Sequence, residues 1–110
     1  MSTDFRVLDA ARSVVDEVEA AIETAKPPLI HVQQLRDASG SITWNIREAF
    51  GHRAGRERNV FLRHAHGSAD EADEQLRVNL AARRLDAPRY RRWHNRLVVI
   101  RKMLEALMSE

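Results

Sequence analysis

The chain contains no cysteine, which excludes a disulfide framework, a thiolate nucleophile and a cysteine-ligated metal, and fits a reducing compartment. Prolines number three and glycines four, too few for a β-rich or disordered chain, and aromatic residues make up only 5%. No stretch approaches the ~20 apolar residues that a membrane span requires. The N-terminal Met1-Ser2-Thr3-Asp4-Phe5 shows no basic region followed by an apolar run. These absences predict a soluble, cytoplasmic protein. What is present is a helix-rich composition, 44% hydrophobic over 110 residues. That length predicts one domain spanning residues 1–110, large enough for one core and too small for a second domain or an appended catalytic module.

The apolar residues recur at steps of three and four, the period of helices with one buried face. Ser2, Thr3 and Asp4 offer a cap ahead of Phe5, Leu8, Ala11, Val15, Val18 and Ile22. This first helix is expected to end near Ala25, because Pro27-Pro28 cannot continue it. A second carries Leu35, Ala38, Ile42, Ile46 and Ala49 up to Gly51, with Gly55 marking the turn. A third is expected from about Arg56 to Arg84 through Phe61, Leu62, Ala65, Ala69, Ala72, Leu76 and Leu80. Asp86 is placed to cap the fourth, with Pro88 in its first turn and Trp93, Leu97, Ile100, Leu104 and Leu107 in unbroken four- and three-residue steps. The β-branched run around Val98-Val99-Ile100 suggests a strand, but its continuation at Met103, Leu104 and Leu107 favours helix. Four helices with short connections predict an all-α fold, an antiparallel up-down-up-down four-helix bundle.

Residues 34–71 add small and polar residues to this pattern. Gly40 with Ser41, and Gly67 with Ser68, interrupt helices at a cost of about 1 kcal/mol per glycine, which argues for a packing reason. Two backbones crossing closely is the expected reason, and a ligand pocket the alternative. Asn45 and Glu48 share one helix face, as do Ser68 and Glu71. A carboxylate buried on such a face needs an arginine, a helix amide or a neighbouring protomer. The four residues therefore read as a structural polar network, with acid–base work by Glu48 and Glu71 as the alternative.

The run from Gln34 to Arg53, with its Asn45-Ile46-Arg47-Glu48, and the continuation Phe61 to Glu71, with its Gly67-Ser68-Ala69-Asp70-Glu71, carry a resemblance. This stretch resembles the bacterial four helix bundle protein family. That family includes proteins encoded in intervening sequences of large-subunit ribosomal RNA genes and the accessory variability determinant of diversity-generating retroelements. The resemblance covers nearly the whole chain. It implies a ring-shaped homopentamer, and in the retroelement branch the binding of a reverse transcriptase and nucleic acid through basic surfaces. The chain departs from the family's pattern at Thr43, Arg47, Ala49 and Arg58, which leaves the bundle intact. Trp44, beside the small residues, is expected to fill a protomer interface, with burial inside the bundle as the alternative, so that Gly40, Ser41, Trp44 and Gly67 mark either close helix packing or an oligomer interface.

Catalytic and metal signatures do not appear. The histidines form no His-Glu-x-x-His, Glu48 and His52 alone make no metal site, and no nucleophile triad or Gly-rich phosphate loop is present. The sequence therefore predicts neither an enzyme nor a cofactor. Charge is the remaining functional signal. Residues 1–26 hold six acids against three bases, while residues 83–102 hold eight bases against Asp86 alone. The topology sorts the arginines to two ends. Arg47, Arg53, Arg56 and Arg58 surround the turn between the second and third helices. Lys26, Arg83, Arg84, Arg89, Arg91 and Arg92 gather where the third gives way to the fourth, near Tyr90, Trp93 and His94. Such clusters suit phosphates and unstacked bases. The reading is a non-enzymatic homo-oligomer that binds structured RNA, DNA or a nucleic-acid-processing partner such as a reverse transcriptase through Arg83, Arg84, Arg89, Arg91, Arg92, Arg53, Arg56 and Arg58. The alternative is a purely structural scaffold whose arginines pair with acids of the first helix, Asp9, Asp16, Glu19 and Glu23, across protomers.

Overall fold

The computed structural model describes residues 3–110, with side chains from Arg6 onward. The described residues form four helices: α1 (Thr3–Thr24), α2 (Val32–Ala49), α3 (Arg56–Ala81) and α4 (Ala87–Met108). The cap expected from Ser2, Thr3 and Asp4 and the burial expected of Phe5 fall outside the described side chains. The 26 residues of α3 span about 39 Å at 1.5 Å per residue. That length accounts for most of the 44 Å long axis of the molecule. The helices stand in a square: α1 runs beside α2 and α4, α3 runs beside α2 and α4, and among the described residues the backbones of the diagonal pairs do not approach closely. No described helix is long and apolar enough to cross a membrane.

Two helices bury the stripes that their spacing predicts. Leu35, Ala38, Ile42, Ile46 and Ala49 of α2 are buried, as are Trp93, Leu97, Ile100, Leu104 and Leu107 of α4. Helix α3 buries Leu62, Ala65, Ala69, Ala72 and Leu76, with Phe61 and Leu80 only half-buried at the edges. In α1 the buried stripe is Val7, Ala11, Val14, Val18 and Ala21, rotated from the expected one. Both stripes contain Ala11 and Val18 and both obey helical spacing, so the local pattern alone does not choose between them. Packing against α2 and α4 turns α1 until Leu8 and Ile22 line the rim of the core.

The most extensive helix contact joins α2 to α3. Its closeness comes from buried alanines, Ala38 and Ala49 on one side and Ala65, Ala69 and Ala72 on the other. The glycines contribute nothing to it. Gly40 and Gly67 are exposed, and a Cβ added at either would meet no atom within 4 Å. The expected crossing of backbones at these two glycines is therefore overturned. The polar contact between α2 and α3 is made instead by Ser68, whose hydroxyl donates to Ser41 Oγ at 2.8 Å.

Helix α3 stops three residues before the expected Arg84. Arg83 takes a left-handed backbone, φ 60°. The Arg84 amide then donates to the Asn79 carbonyl at 2.9 Å and the Arg83 amide to Leu80 at 3.1 Å. This six-to-one and five-to-two pair closes the helix in the manner usually reserved for glycine. Asn79 itself is 0% exposed. Its side chain accepts the Ile30 amide at 2.8 Å and donates to the Ile30 carbonyl at 3.1 Å, tying the α1–α2 connection to α3.

Asn79→Ala orphans both backbone groups of Ile30 and is expected to cost about 2–3 kcal/mol in urea unfolding. Arg83→Gly relieves the left-handed arginine and is expected to stabilise the fold by up to about 1 kcal/mol in the same measurement.

Candidate nucleic-acid interface

The turn from α3 to α4 and the α1–α2 connection meet at one end of the bundle, where Arg84 Nη1 donates to the Pro28 carbonyl at 2.9 Å. The basic residues gathered there fall into two groups. Arg84 is half-buried against Pro28. Arg89 pairs with Asp86 at 3.2 Å and lies over the Trp93 ring, 5.7 Å from its centroid. Asp86 sits at the N-cap position with extended backbone, but its carboxylate serves Arg89 and makes no capping bond to the helix amides. Arg92 pairs with Glu17 of α1 at 2.8 Å. Lys26, Arg83 and Arg91, by contrast, are exposed and make no ion pair or side-chain hydrogen bond among the described residues.

Glu17 explains why the pairing of α4 to α1 is firm. It accepts from Trp93 Nε1 at 3.2 Å and from Arg96 Nη1 at 2.7 Å, besides meeting Arg92. Burial alone would raise its carboxyl above the ordinary 4.5. The bonds from Arg96 and Trp93 and the charges of Arg96 and Arg92 outweigh burial and lower it. Trp93 is accordingly a core residue with one polar bond, as its place on the apolar stripe suggested.

Beside it lies a cluster that periodicity alone did not single out. Asp73 of α3 is buried and accepts from Tyr90 Oη at 3.1 Å, His94 Nδ1 at 3.0 Å and Arg77 at 3.4 Å. Arg77 also donates to Tyr90 Oη at 3.3 Å. Burial raises the Tyr90 phenol, and the Asp73 carboxylate adds to the rise while Arg77 opposes it. Tyr90 and His94 are stacked, with ring centroids 5.7 Å apart. The cluster joins α3 to α4, and its histidine and tyrosine are engaged within the protein.

At the opposite end, the expected group loses a member. Arg58 is only 6% exposed. Its Nη2 donates to the Leu107 carbonyl at 3.0 Å and to Glu110 at 2.9 Å, while Asn59 Nδ2 donates to the Met108 carbonyl at 3.1 Å. These bonds satisfy carbonyls at the end of α4, so Arg58 closes a helix terminus and does not face a ligand. Arg53 and Arg56 are exposed around a surface hollow of roughly 400 Å³ that includes His52 and Glu57, which pair at 3.3 Å.

The polar network expected of Asn45, Glu48, Ser68 and Glu71 is present in part. Ser41 is its centre, accepting from Ser68 and from Asn45 Nδ2 at 2.9 Å. Glu48 and Glu71 are exposed and make no bond among the described residues, which removes the premise that they are buried carboxylates in need of partners. Trp44 is exposed on the same surface. Gly67 lies apart, in a hollow between α3 and α4 with Arg63, His66, Glu105 and Met108. Among the described residues no group of three histidine, aspartate or glutamate side chains is placed to hold a metal ion.

A carboxylate held below its ordinary value stabilises the fold above 4.5, and that stability is lost as pH falls through the lowered value. Glu17→Gln is therefore expected to lower Tm at neutral pH and to flatten the fall of Tm below pH 4.5 that the unsubstituted protein shows, both read by circular dichroism melts.

Comparison with known proteins agrees with this architecture. The profile of the 23S rRNA-intervening sequence protein family matches residues 3–106. A solved structure of a protein with unknown function from the S23 ribosomal protein family of Bacteroides thetaiotaomicron VPI-5482 superposes with a TM-score of 0.88. The two chains are 19% identical, with 99% of this chain and 100% of that one covered. No curated protein matches the chain. The match over residues 3–106, with the four-helix fold that accompanies it, establishes that the chain belongs to the 23S rRNA-intervening sequence protein family.

Proposed function

We propose that the chain is a non-enzymatic homo-oligomer, a ring-shaped pentamer, that binds structured RNA at the α3–α4 end of each bundle. The observation that carries this reading is Arg83. It occupies a left-handed position at which an arginine costs up to about 1 kcal/mol relative to glycine, and it is exposed and unpaired among the described residues. That backbone, set by the closure of α3, leaves the guanidinium in solvent at the end of the bundle, where a phosphate can reach it. Arg91 and Lys26 add charge without internal partners at the same end. Arg53 and Arg56 extend the basic character to the other end.

Fluorescence anisotropy of a labelled hairpin RNA and a matched duplex DNA, titrated at low and near-physiological salt, tests the reading. Binding at micromolar or tighter Kd that weakens steeply with salt is expected. Arg83→Ala with Arg91→Ala is expected to weaken it about tenfold and to reduce the salt slope by about two. Arg89→Ala with Arg92→Ala, whose guanidinium groups are already paired, is expected to change it less. Absence of binding at low salt contradicts the reading and leaves an interaction scaffold.

A further inference from the structure

Trp44 and Gly67 have no use within their own bundle: the indole is 58% exposed in the middle of α2, and a Cβ added at the glycine would meet no atom. Gly67 lies in a hollow of roughly 480 Å³ between α3 and α4 that Arg63, His66, Glu105 and Met108 complete. The Ser68–Ser41 bond sets these groups on one scale of height, because α2 and α3 run antiparallel. At 1.5 Å per residue, Trp44 stands about 4.5 Å from that bond along the bundle, between Gly67 at about 1.5 Å and Arg63 at about 7.5 Å. Glu48 stands about 3 Å beyond the height of Arg63. The indole is thus level with the hollow but on a different corner of the square, out of reach of it within one chain. Glu48, Arg47 and Arg63 are exposed and have no ion-pair partner among the described residues. Glu48 is on the side of α2 that holds Ser41 and turns toward α3, and Arg47 on the side that holds Arg36 and turns toward α1.

We propose that the occupant of the hollow is a second copy of this chain: Trp44 of one copy seats beside Gly67 of the next, with Glu48 against Arg63 and Arg47 against Glu105. This contact builds the homo-oligomer of the proposed function, on which it rests, and needs no RNA. A closed ring relates its copies by rotation alone, so with the bundles upright, groups that meet across copies stand at equal height. The indole and the hollow meet that condition. Rotation also keeps the order of helices around the square. The side of α2 that carries Glu48 therefore comes to α3 of the next copy, where Arg63 is, and the side that carries Arg47 comes to α4, where Glu105 is. Both flanking pairs join opposite charges, although Glu105 also meets His66 of its own chain. A side chain at position 67 would occupy the space that the indole takes. That accounts for a helix-interior glycine that costs about 1 kcal/mol and packs against nothing in its own chain. An aromatic anchor in a pocket, flanked by charge pairs, is the arrangement that carries most of the energy of an interface. A two-fold contact through α2 would instead set Trp44 beside Gly40 of the other copy and leave the Gly67 hollow and Arg63 unused.

The test is sedimentation velocity of the full-length protein over a concentration series, with circular dichroism confirming that every variant keeps its helix content. The unsubstituted chain is expected to sediment as one oligomer. Trp44→Ala, and separately Gly67→Leu, which fills the hollow where the chain itself has open space, are each expected to weaken association about tenfold or more. Glu48→Arg and Arg63→Glu are each expected to weaken it several-fold, and the two together, which reverse the pair, to recover it. Association unchanged by Trp44→Ala or by Gly67→Leu, or no recovery in the reversed pair, overturns the proposal and leaves an oligomer built on another surface. Dissociation by Gly40→Leu with no effect of Gly67→Leu identifies a two-fold contact through α2, which also overturns it. An unsubstituted chain that is monomeric at every concentration overturns both this contact and the oligomer of the proposed function, while RNA anisotropy reads the remainder of that function separately.

Discussion

The apolar seam shared by four helices governs where every polar group in this molecule can go. A polar side chain that enters the seam must be bonded there or it destabilises the fold, so those that do enter are placed at joints. Asn79 ties the α1–α2 connection to α3 through both backbone groups of Ile30. Arg58 and Asn59 close the last turn of α4 from the first turn of α3. Asp73 collects Tyr90, His94 and Arg77 where α3 meets α4. Ser39 Oγ, Arg58 Nε and Asn59 Oδ1 are the exceptions, buried atoms with no bond partner among the described residues. The bundle is an apolar structure pinned at three polar joints.

Much of this was legible in the sequence because the helix period is a direct consequence of burying one face. The stripes of α2 and α4 follow from spacing alone, and the proline pair and the glycines at 51 and 55 mark real boundaries. The stripe of α1 was ambiguous because two stripes share Ala11 and Val18, and only the neighbouring helices decide between them. Gly40 and Gly67 misled because a glycine in a helix has the same sequence signature whether a backbone approaches it or the space beside it is empty. The joints left a signal that was available. Asp73 stands four residues after Ala69 and three before Leu76, and Asn79 three after Leu76, all on the buried side of α3. A lone polar residue on an apolar stripe marks a bonded partner elsewhere, although its identity requires the fold. The left-handed closure at Arg83 carried no such mark, since the sequence offers no glycine there.

The arginines show how little a count of basic residues says about a surface. Arg58 is buried, Arg84 is fixed to a carbonyl, and Arg89, Arg92 and Arg96 neutralise Asp86 and Glu17. What remains exposed and uncommitted at the α3–α4 end is a smaller set, Lys26, Arg83 and Arg91. The acids are distributed with the same economy. Glu17 and Glu19 of α1 draw arginines from α4 and α2, while Glu48 and Glu71 stay exposed without a partner among the described residues. Pairing inside the bundle thus leaves at the α3–α4 end a surface defined by the charges that the fold does not use.

Whether the uncommitted cations of the α3–α4 end meet RNA is decided by mapping the contact in solution. Backbone amide spectra of isotope-labelled protein, recorded during titration with a hairpin RNA, locate it by residue. Shifts concentrated at residues 26–31 and 82–92 are expected, with the middle of α2 around Trp44 unmoved. Shifts confined to α2, or none at RNA concentrations that saturate the anisotropy signal, would contradict it.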